Sequence, residues 1–278
     1  MESVLAQRYQ DWELIISDDG SKDETRTWLA GLKDPRIIVH MQPKNLGIFG
    51  NLNFLFTQAR YPITQILFQD DYFHDEHSLD RLMAEWKKLP PQIAFLRCNH
   101  DRGNANSILS AYERDVLPQW IDPARSDLYF AVFGCIPGNL TNVSVRTARV
   151  AEAGWYRPDL PYAGDFEFWS RLGRRAPWAL SPVRTTVVRS HGGQASVYLN
   201  LKGELMSQMR TVLETLYRNA VATGASAFWL RVLITINYTA QHMDRGVKGV
   251  LLQRNPAYLR MVMRELGEAE FSLGRFFT

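Results

Sequence analysis

Short apolar runs alternate with stretches of helical periodicity through the first hundred residues. Residues 12–17, 36–41, 64–69 and 92–98 are rich in Ile, Leu and Val, are bounded by polar turn residues, and read as buried strands. Helices are predicted between them over 21–32, 47–59 and 76–89, and residues 2–9 read as the tail of another. Ser21 stands as the expected N-cap of the 21–32 helix, with Glu24 at the capping-box position. Strands and helices alternating at these lengths predict an α/β fold with a parallel sheet and helices on both faces. From 99 to about 138 the pattern blurs into loops and short elements. A short strand over 141–145, a helix over 146–153, a turn-rich stretch over 154–158, a helix over 165–174 and a strand over 185–190 follow. Beyond Tyr198 the chain reads as helical, broken at Gly224 and at Asn255-Pro256.

Composition narrows the class. The 278 residues are 46% apolar and 22% charged, an ordinary globular balance with enough chain for a sizeable core. A net charge of +3 gives no polybasic character and speaks against a nucleic-acid partner. The charge is uneven, with ten Lys/Arg against six Asp/Glu from Asn200 onward. Two cysteines, Cys98 and Cys135, are too few for a disulfide scaffold or a cysteine zinc site and suit a reducing cytoplasm. No apolar run approaches the ~20 residues of a membrane span; the richest, 227–236, is interrupted by Arg231.

Candidate chemistry gathers where the apolar runs end. Gln69-Asp70-Asp71 closes the third run. Side chains at the carboxyl end of a strand face the crevice where α/β sheets bind ligands. Two adjacent carboxylates repel unless a cation or a donor-rich ligand stands between them. Their hard oxygens suit Mg²⁺ or Mn²⁺ bridging to phosphates. Taken alone, the pair fits a solvated loop as well as a metal site. Asp18 and Asp19 close the first run; such carboxylates accept hydrogen bonds from a base or ribose, or complement the dipole of the helix that follows. Gly47 admits a close backbone approach or shapes a turn.

Five segments together resemble family 2 glycosyltransferases, in the order that family shows. They are Tyr9 to Thr25 with its Ser17-Asp18-Asp19-Gly20-Ser21 core, Asn45-Leu46-Gly47 with Asn51, and Gln69-Asp70-Asp71. Gly164-Asp165-Phe166-Glu167-Phe168-Trp169 and Val188-Arg189-Ser190-His191-Gly192-Gly193 complete the set. The resemblance spans about residues 2–198 and implies a Rossmann-like GT-A domain over 1–198, its sheet mostly parallel, with 199–278 as a helical C-terminal extension. It implies that Asp18, Asp19, Asn45 and Gly47 hold the nucleoside, with Asp19 on a uracil- or thymine-type ring. Asp70 is implied at the ribose or the metal's water shell, Arg189 at the diphosphate, and Asp71 with His191 as ligands of Mn²⁺ or Mg²⁺. Asp165 is implied as the general base of an inverting transfer, although an Asp opening a helix is also a favoured N-cap. The implied partners are a nucleoside diphosphate sugar donor and a saccharide or lipid-linked saccharide acceptor, in cell-surface polysaccharide or glycolipid synthesis.

Two departures stand out. Phe68 stands where many relatives carry a further Asp, and Gly164 where the residue before the base is often acidic. Gly164 leaves the base itself in place, whereas Phe68 and the incomplete N-terminus support the alternative expectation, a non-catalytic sugar-nucleotide binding or scaffold protein that keeps the fold. The family also opens on a buried strand and helix of roughly 20–25 residues, whereas Met1 here is followed at once by Glu2-Ser3-Val4-Leu5-Ala6-Gln7. The expectation is a truncated chain with an open slot in its sheet, weak nucleotide binding and association through exposed edges, unless a neighbouring chain fills the slot. The basic C-terminal region, with Phe228, Trp229, Leu230, Phe271, Phe276 and Phe277, fits docking on an anionic membrane, or packing on the catalytic domain or a second subunit.

Overall fold

The computed structural model describes residues 1–101, 117–189 and 204–273. A short helix α1 (Glu2–Leu5) precedes β1 (Leu14–Asp18), α2 (Thr25–Ala30), β2 (Ile37–Met41), α3 (Gly47–Gln58) and β3 (Ile63–Gln65). Next come β4 (Tyr72–Phe73), α4 (Ser78–Lys88), β5 (Phe95–Asp101), β6 (Trp120–Ile121) and α5 (Pro123–Phe133). Then β7 (Val143–Arg146), α6 (Thr147–Ala153), α7 (Gly164–Gly173) and β8 (Trp178–Val187) lead to α8 (Glu204–Ala222), α9 (Ala227–Gln253) and α10 (Ala257–Glu268).

The architecture is α/β, as the alternation predicts. The two longest ladders, β1 with β2 and β5 with β8, are parallel. The shorter strands β3, β4, β6 and β7 join the larger sheet antiparallel, in the order β3-β7-β5-β8-β4 with β6 also on β8. These strands are two to four residues long, and β4 and β6, at two residues each, are too short to leave a periodic signal. β1 and β2 form a sheet of their own, and among the described residues no strand pairs with the other edge of β1. Leu14, Ile15 and Ile16 are correspondingly only half-buried.

Period-two alternation sorts the sheet's side chains onto two cores. Phe95 and Trp178 enter the main core with Trp169 of α7 and Phe130 of α5, ring centroids 4.9–5.1 Å apart. Their neighbours Leu96 and Ala179 point the other way, where α4 lays Leu82 and Trp86 on them. Helices therefore cover both faces. The main core runs on into the C-terminal region, where Met206, Leu213 and Leu216 of α8 and Leu230 and Ile234 of α9 share one apolar cluster with Phe130. The breaks fall where expected. Gly224 takes the left-handed conformation (φ 102°), and the Asn255 side chain accepts the Ala257 N–H as α10 begins.

Three local expectations are corrected. The helix expected from Ser21 starts at Thr25, and no capping box forms, because the Ser21 N–H is taken by the Asp18 carboxylate. The strand expected over 64–69 stops at Gln65; its end turns instead, with the Asp71 N–H donating to Phe68 O. Leu140–Asn142 is a 3₁₀ turn rather than strand, and its Thr141 side chain is used by Asp71. Helix α5 and the first half of β8 lie where the pattern carried no clear period. Among the described residues no helix is long and apolar enough to cross a membrane.

Candidate active site

The end of β1 is built first. Asp18 is buried, and its carboxylate accepts from Gly20 N–H, from Ser21 N–H and from Arg26 Nε at 2.8 Å. Burial alone would raise its pKa, but the hydrogen bonds from Ser21 and Arg26 prevail and hold it below the usual carboxylate range. Arg26 also donates to Gln42 O, so it ties β1 to the end of β2. Asp18 is thus engaged by its own chain, and Asp19 is the acid turned toward α3. Its Oδ1 accepts the Leu46 N–H at 2.7 Å, and its carbonyl accepts Asn45 Nδ2 at 3.0 Å. Asn45 Oδ1 accepts the Gly47 N–H. Gly47 has φ 72°, a conformation that favours glycine, and a Cβ there would meet nothing within 4 Å. Asn51 fastens α3 to β1, accepting from Ser17 Oγ at 2.6 Å and donating to Ser17 O.

The acid pair divides in two. Asp71 is buried: Oδ2 accepts the Thr141 hydroxyl at 2.5 Å, and Oδ1 accepts the Arg189 N–H at 3.0 Å. Burial raises its pKa, with a smaller push from the Asp70 charge, and these two hydrogen bonds oppose the rise. Asp70 is half-exposed, and its carbonyl accepts Arg189 Nε. Arg189 therefore anchors the turn through both backbone and side chain. The expected ligand His191 lies outside the described residues. Among the described residues no three His, Cys, Asp or Glu side chains form a cage for a metal. Two adjacent carboxylates nonetheless fit a hard divalent ion of the Mg²⁺ kind, which keeps waters and takes further ligands from substrate phosphates.

Asp165 occupies the first turn of α7, where Asp165 and Glu167 complement the helix dipole. Its Oδ1 accepts the Phe166 N–H at 2.7 Å, so it does not serve as an N-cap. Burial pushes its pKa up to about 6. Tyr156 is its neighbour: fully buried, its hydroxyl unpartnered, and its own pKa raised by burial and by the Asp165 charge. The Tyr156 ring stacks on Phe168 at 3.8 Å and on Phe49 at 5.5 Å. Asn53 of α3 pairs with the Tyr156 backbone through both N–H and C=O. Arg171 grips Glu167 and also donates to the carbonyls of Ala153 and Trp155, holding the turn in which Gly154 and Trp155 take positive φ.

Helix α3 therefore joins two of the three groups. Its first residues and Asn51 meet Asp19 and Ser17, and its Phe49 and Asn53 meet Gly164 and Tyr156 beside Asp165. The C-terminal region reaches the same place, since Gln208 of α8 accepts both the Tyr162 and Ala163 N–H groups at 3.1 Å, just before Asp165. Trp155, Tyr156, Tyr162 and Trp169 are legible in the sequence as aromatics clustered around Asp165, suited to a sugar face or to core packing, and Tyr156 and Trp169 are core. Sequence reasoning missed Arg26, Thr141 and Gln208 as parts of the site. None belongs to a motif; each is brought in by a contact with a residue distant in sequence, except Arg26, eight residues from Asp18.

Several known proteins are similar to this chain. An uncharacterized glycosyltransferase of Haemophilus influenzae is 25% identical over 268 residues, covering 91% of this chain and 79% of its own. The Escherichia coli UDP-Glc:alpha-D-GlcNAc-diphosphoundecaprenol beta-1,3-glucosyltransferase WfgD is 31% identical over 121 residues, covering 44% of this chain and 46% of its own. Among solved structures, Staphylococcus aureus TarS 1–349 in complex with UDP-GlcNAc superposes with a TM-score of 0.66 at 14% identity, over 96% of this chain and 74% of TarS 1–349. The Pyrobaculum calidifontis mannosyltransferase PcManGT in complex with GDP-Man and Mn²⁺ gives 0.57 at 12% identity, over 95% and 78%. These two show a common fold. The pattern shared by glycosyl transferase family 2 matches residues 1–141, which hold the ends of β1 and β3 and the first turn of α3, and the chain belongs to that family.

Proposed function

We propose that the protein transfers a sugar, with inversion, from a nucleoside diphosphate sugar to an acceptor hydroxyl, with Asp165 as the base. The observation that carries this is the environment of Asp165. Asp165 is half-buried in the first turn of α7 beside the buried Tyr156, with its pKa raised to about 6, where it is ionised at neutral pH yet basic enough to take a proton. In the transfer, the acceptor oxygen bonds to the anomeric carbon and its proton passes to Asp165. The bond from that carbon to the diphosphate breaks, and the electron pair leaves with the diphosphate. Asp19, Asn45 and Gly47 line the nucleoside side, and Asp18 with Arg26 shapes the turn that presents them. Arg189 holds the Asp70–Asp71 turn in place.

A divalent ion, Mn²⁺ or Mg²⁺, would lie at the acid pair and neutralise charge on the diphosphate. The half-exposed Asp70 is the more accessible acid, while both oxygens of Asp71 already accept hydrogen bonds from the chain. The sugar acceptor of WfgD is carried on diphosphoundecaprenol. We take a lipid-linked saccharide of the cell surface as the acceptor class here. Nucleoside diphosphate release from a panel of sugar nucleotides, with and without Mn²⁺, tests the reading. Turnover that Asp165→Asn removes while donor binding persists is expected; turnover unchanged in that variant would refute it.

A further inference from the structure

Among the described residues, helix α9 is covered on one side only. Leu230, Ile234, Tyr238 and His242 face the core, and Gly246 meets α10 so closely that a Cβ would lie 3.2 Å from Leu259 Cδ1. The opposite side carries Trp229, Leu233, Ile236, Ala240, Val247 and Leu251, all exposed, with the half-buried Met243 between them. Trp229 keeps 63% of its surface open and Leu251 73%. With Met243 included, the steps along this row alternate between four and three residues until the last. That is the spacing of a coiled-coil seam, held for three heptads. The row runs straight along a helix of 27 residues, about 40 Å long, and no charged residue interrupts it. Its open area is on the order of 600 Å², at the upper end of the ~300–600 Å² of the largest patch on a typical monomer. It is about three-quarters of the ~800 Å² that one partner contributes to a standard interface.

We propose that this row is a homodimer interface, in which α9 packs antiparallel against α9 of a second copy about a two-fold axis at Ala240. A two-fold interface must be complementary to itself, and this row is. With Ala240 opposite Ala240, Trp229 meets Leu251, Leu233 meets Val247 and Ile236 meets Met243. The smallest side chain sits at the centre, where the helices approach most closely. The antiparallel arrangement also sets the helix dipoles head to tail and puts the two copies of Arg254 at opposite ends of the seam. An anionic membrane would call for basic side chains along the flanks of the row. The flanks of this row carry the acidic Asp244 as well as the exposed Lys248, and Arg231, near its start, is turned to α8, where Nε donates to the Tyr217 hydroxyl at 2.7 Å.

Sedimentation equilibrium across the micromolar range tests this, with flotation on anionic liposomes alongside. The expected result is twice the chain mass of 32.0 kDa, reduced to the monomer mass by Ile236→Glu or Leu233→Glu. Both side chains are exposed, so the thermal midpoint of the dissociated variants should match that of dilute wild type. In a Cys135→Ser background, Ala240→Cys should give a covalent dimer on mild oxidation, and Trp229→Cys should not. A monomer at all concentrations, or a dimer indifferent to both glutamates, would overturn the proposal. So would a monomer that floats with liposomes until Ile236→Glu is introduced, since the row would then belong to the membrane. Cross-linking through Trp229→Cys instead of Ala240→Cys would overturn the antiparallel register.

Discussion

Gly164 opens the helix that carries Asp165, and Phe49 occupies the space a side chain there would need. A Cβ at 164 would lie 2.6 Å from Phe49 Cε2, 2.9 Å from Cδ2 and 3.1 Å from Cζ. The ring cannot simply swing away, because it is buried and stacked on Tyr156, which is itself stacked on Phe168. Gly164→Ala therefore overpacks the site. Such insertions cost about 1–3 kcal/mol, and alanine's helix preference over glycine returns at most ~1 kcal/mol, less at the first position of a helix. The net expectation is a loss of about 1–2 kcal/mol, or roughly 2–8 °C in Tm for a chain of this size. Thermal unfolding of Gly164→Ala, Phe49→Leu and the double variant makes the cycle. Leucine lacks the Cε2 and Cζ atoms that the new methyl would strike, so Gly164→Ala should cost about 1 kcal/mol less in the Phe49→Leu background. If the two changes add within ~0.5 kcal/mol, or Gly164→Ala is as stable as wild type, the contact does not govern the site.

Burial raises the Asp165 pKa from 3.8 to about 6, so the folded state holds that proton more tightly than the unfolded chain. Its stabilising contribution is full below 3.8 and is lost as pH rises through about 6. Asp165→Asn should therefore raise Tm at pH 8 and leave it unchanged at acid pH, while wild-type transfer should fall below about pH 6; an equal Tm shift at both ends would remove the assignment. Asp71→Asn turns an amide toward one of two donors, Thr141 or the Arg189 N–H, and should cost about 1–3 kcal/mol in urea unfolding. Asp70→Asn should weaken nucleoside diphosphate binding only when Mn²⁺ is present, as calorimetry would read; equal weakening without Mn²⁺ would remove its metal role. Gln208→Ala removes the acceptor shared by the Tyr162 and Ala163 N–H groups. Faster hydrogen exchange at those two amides with reduced transfer is expected, and unchanged exchange would show that α8 does not steady the Asp165 turn.

The sequence by itself determined the α/β class, because strand and helix periods are local and the apolar runs at 12–17 and 36–41 are β-branched and sharply bounded. It also determined the helical C-terminal region and its breaks at Gly224 and Asn255-Pro256, since a glycine can take the left-handed conformation that ends a helix and a proline lacks the N–H that a helix interior needs. The acids at the strand ends were legible for the same reason: Asp18, Asp19, Asp70 and Asp71 stand where apolar runs stop. What each acid does was not. Asp18 and Asp71 look equivalent to Asp19 and Asp70 in sequence, yet Arg26 claims one and Thr141 with the Arg189 backbone claims the other. Hydrogen-bond partners 70 and 118 residues away leave no periodic trace. The two-residue strands β4 and β6 are likewise made by their neighbours, since two residues carry too little pattern of their own. Gly164 reads in the sequence as a missing acid, and only packing shows that the Phe49 ring fills its place. The raised pKa of Asp165 also comes from burial. Burial is a property of the assembled chain, set by α3, α7 and the Tyr156 turn meeting at one point, and no single segment contains it.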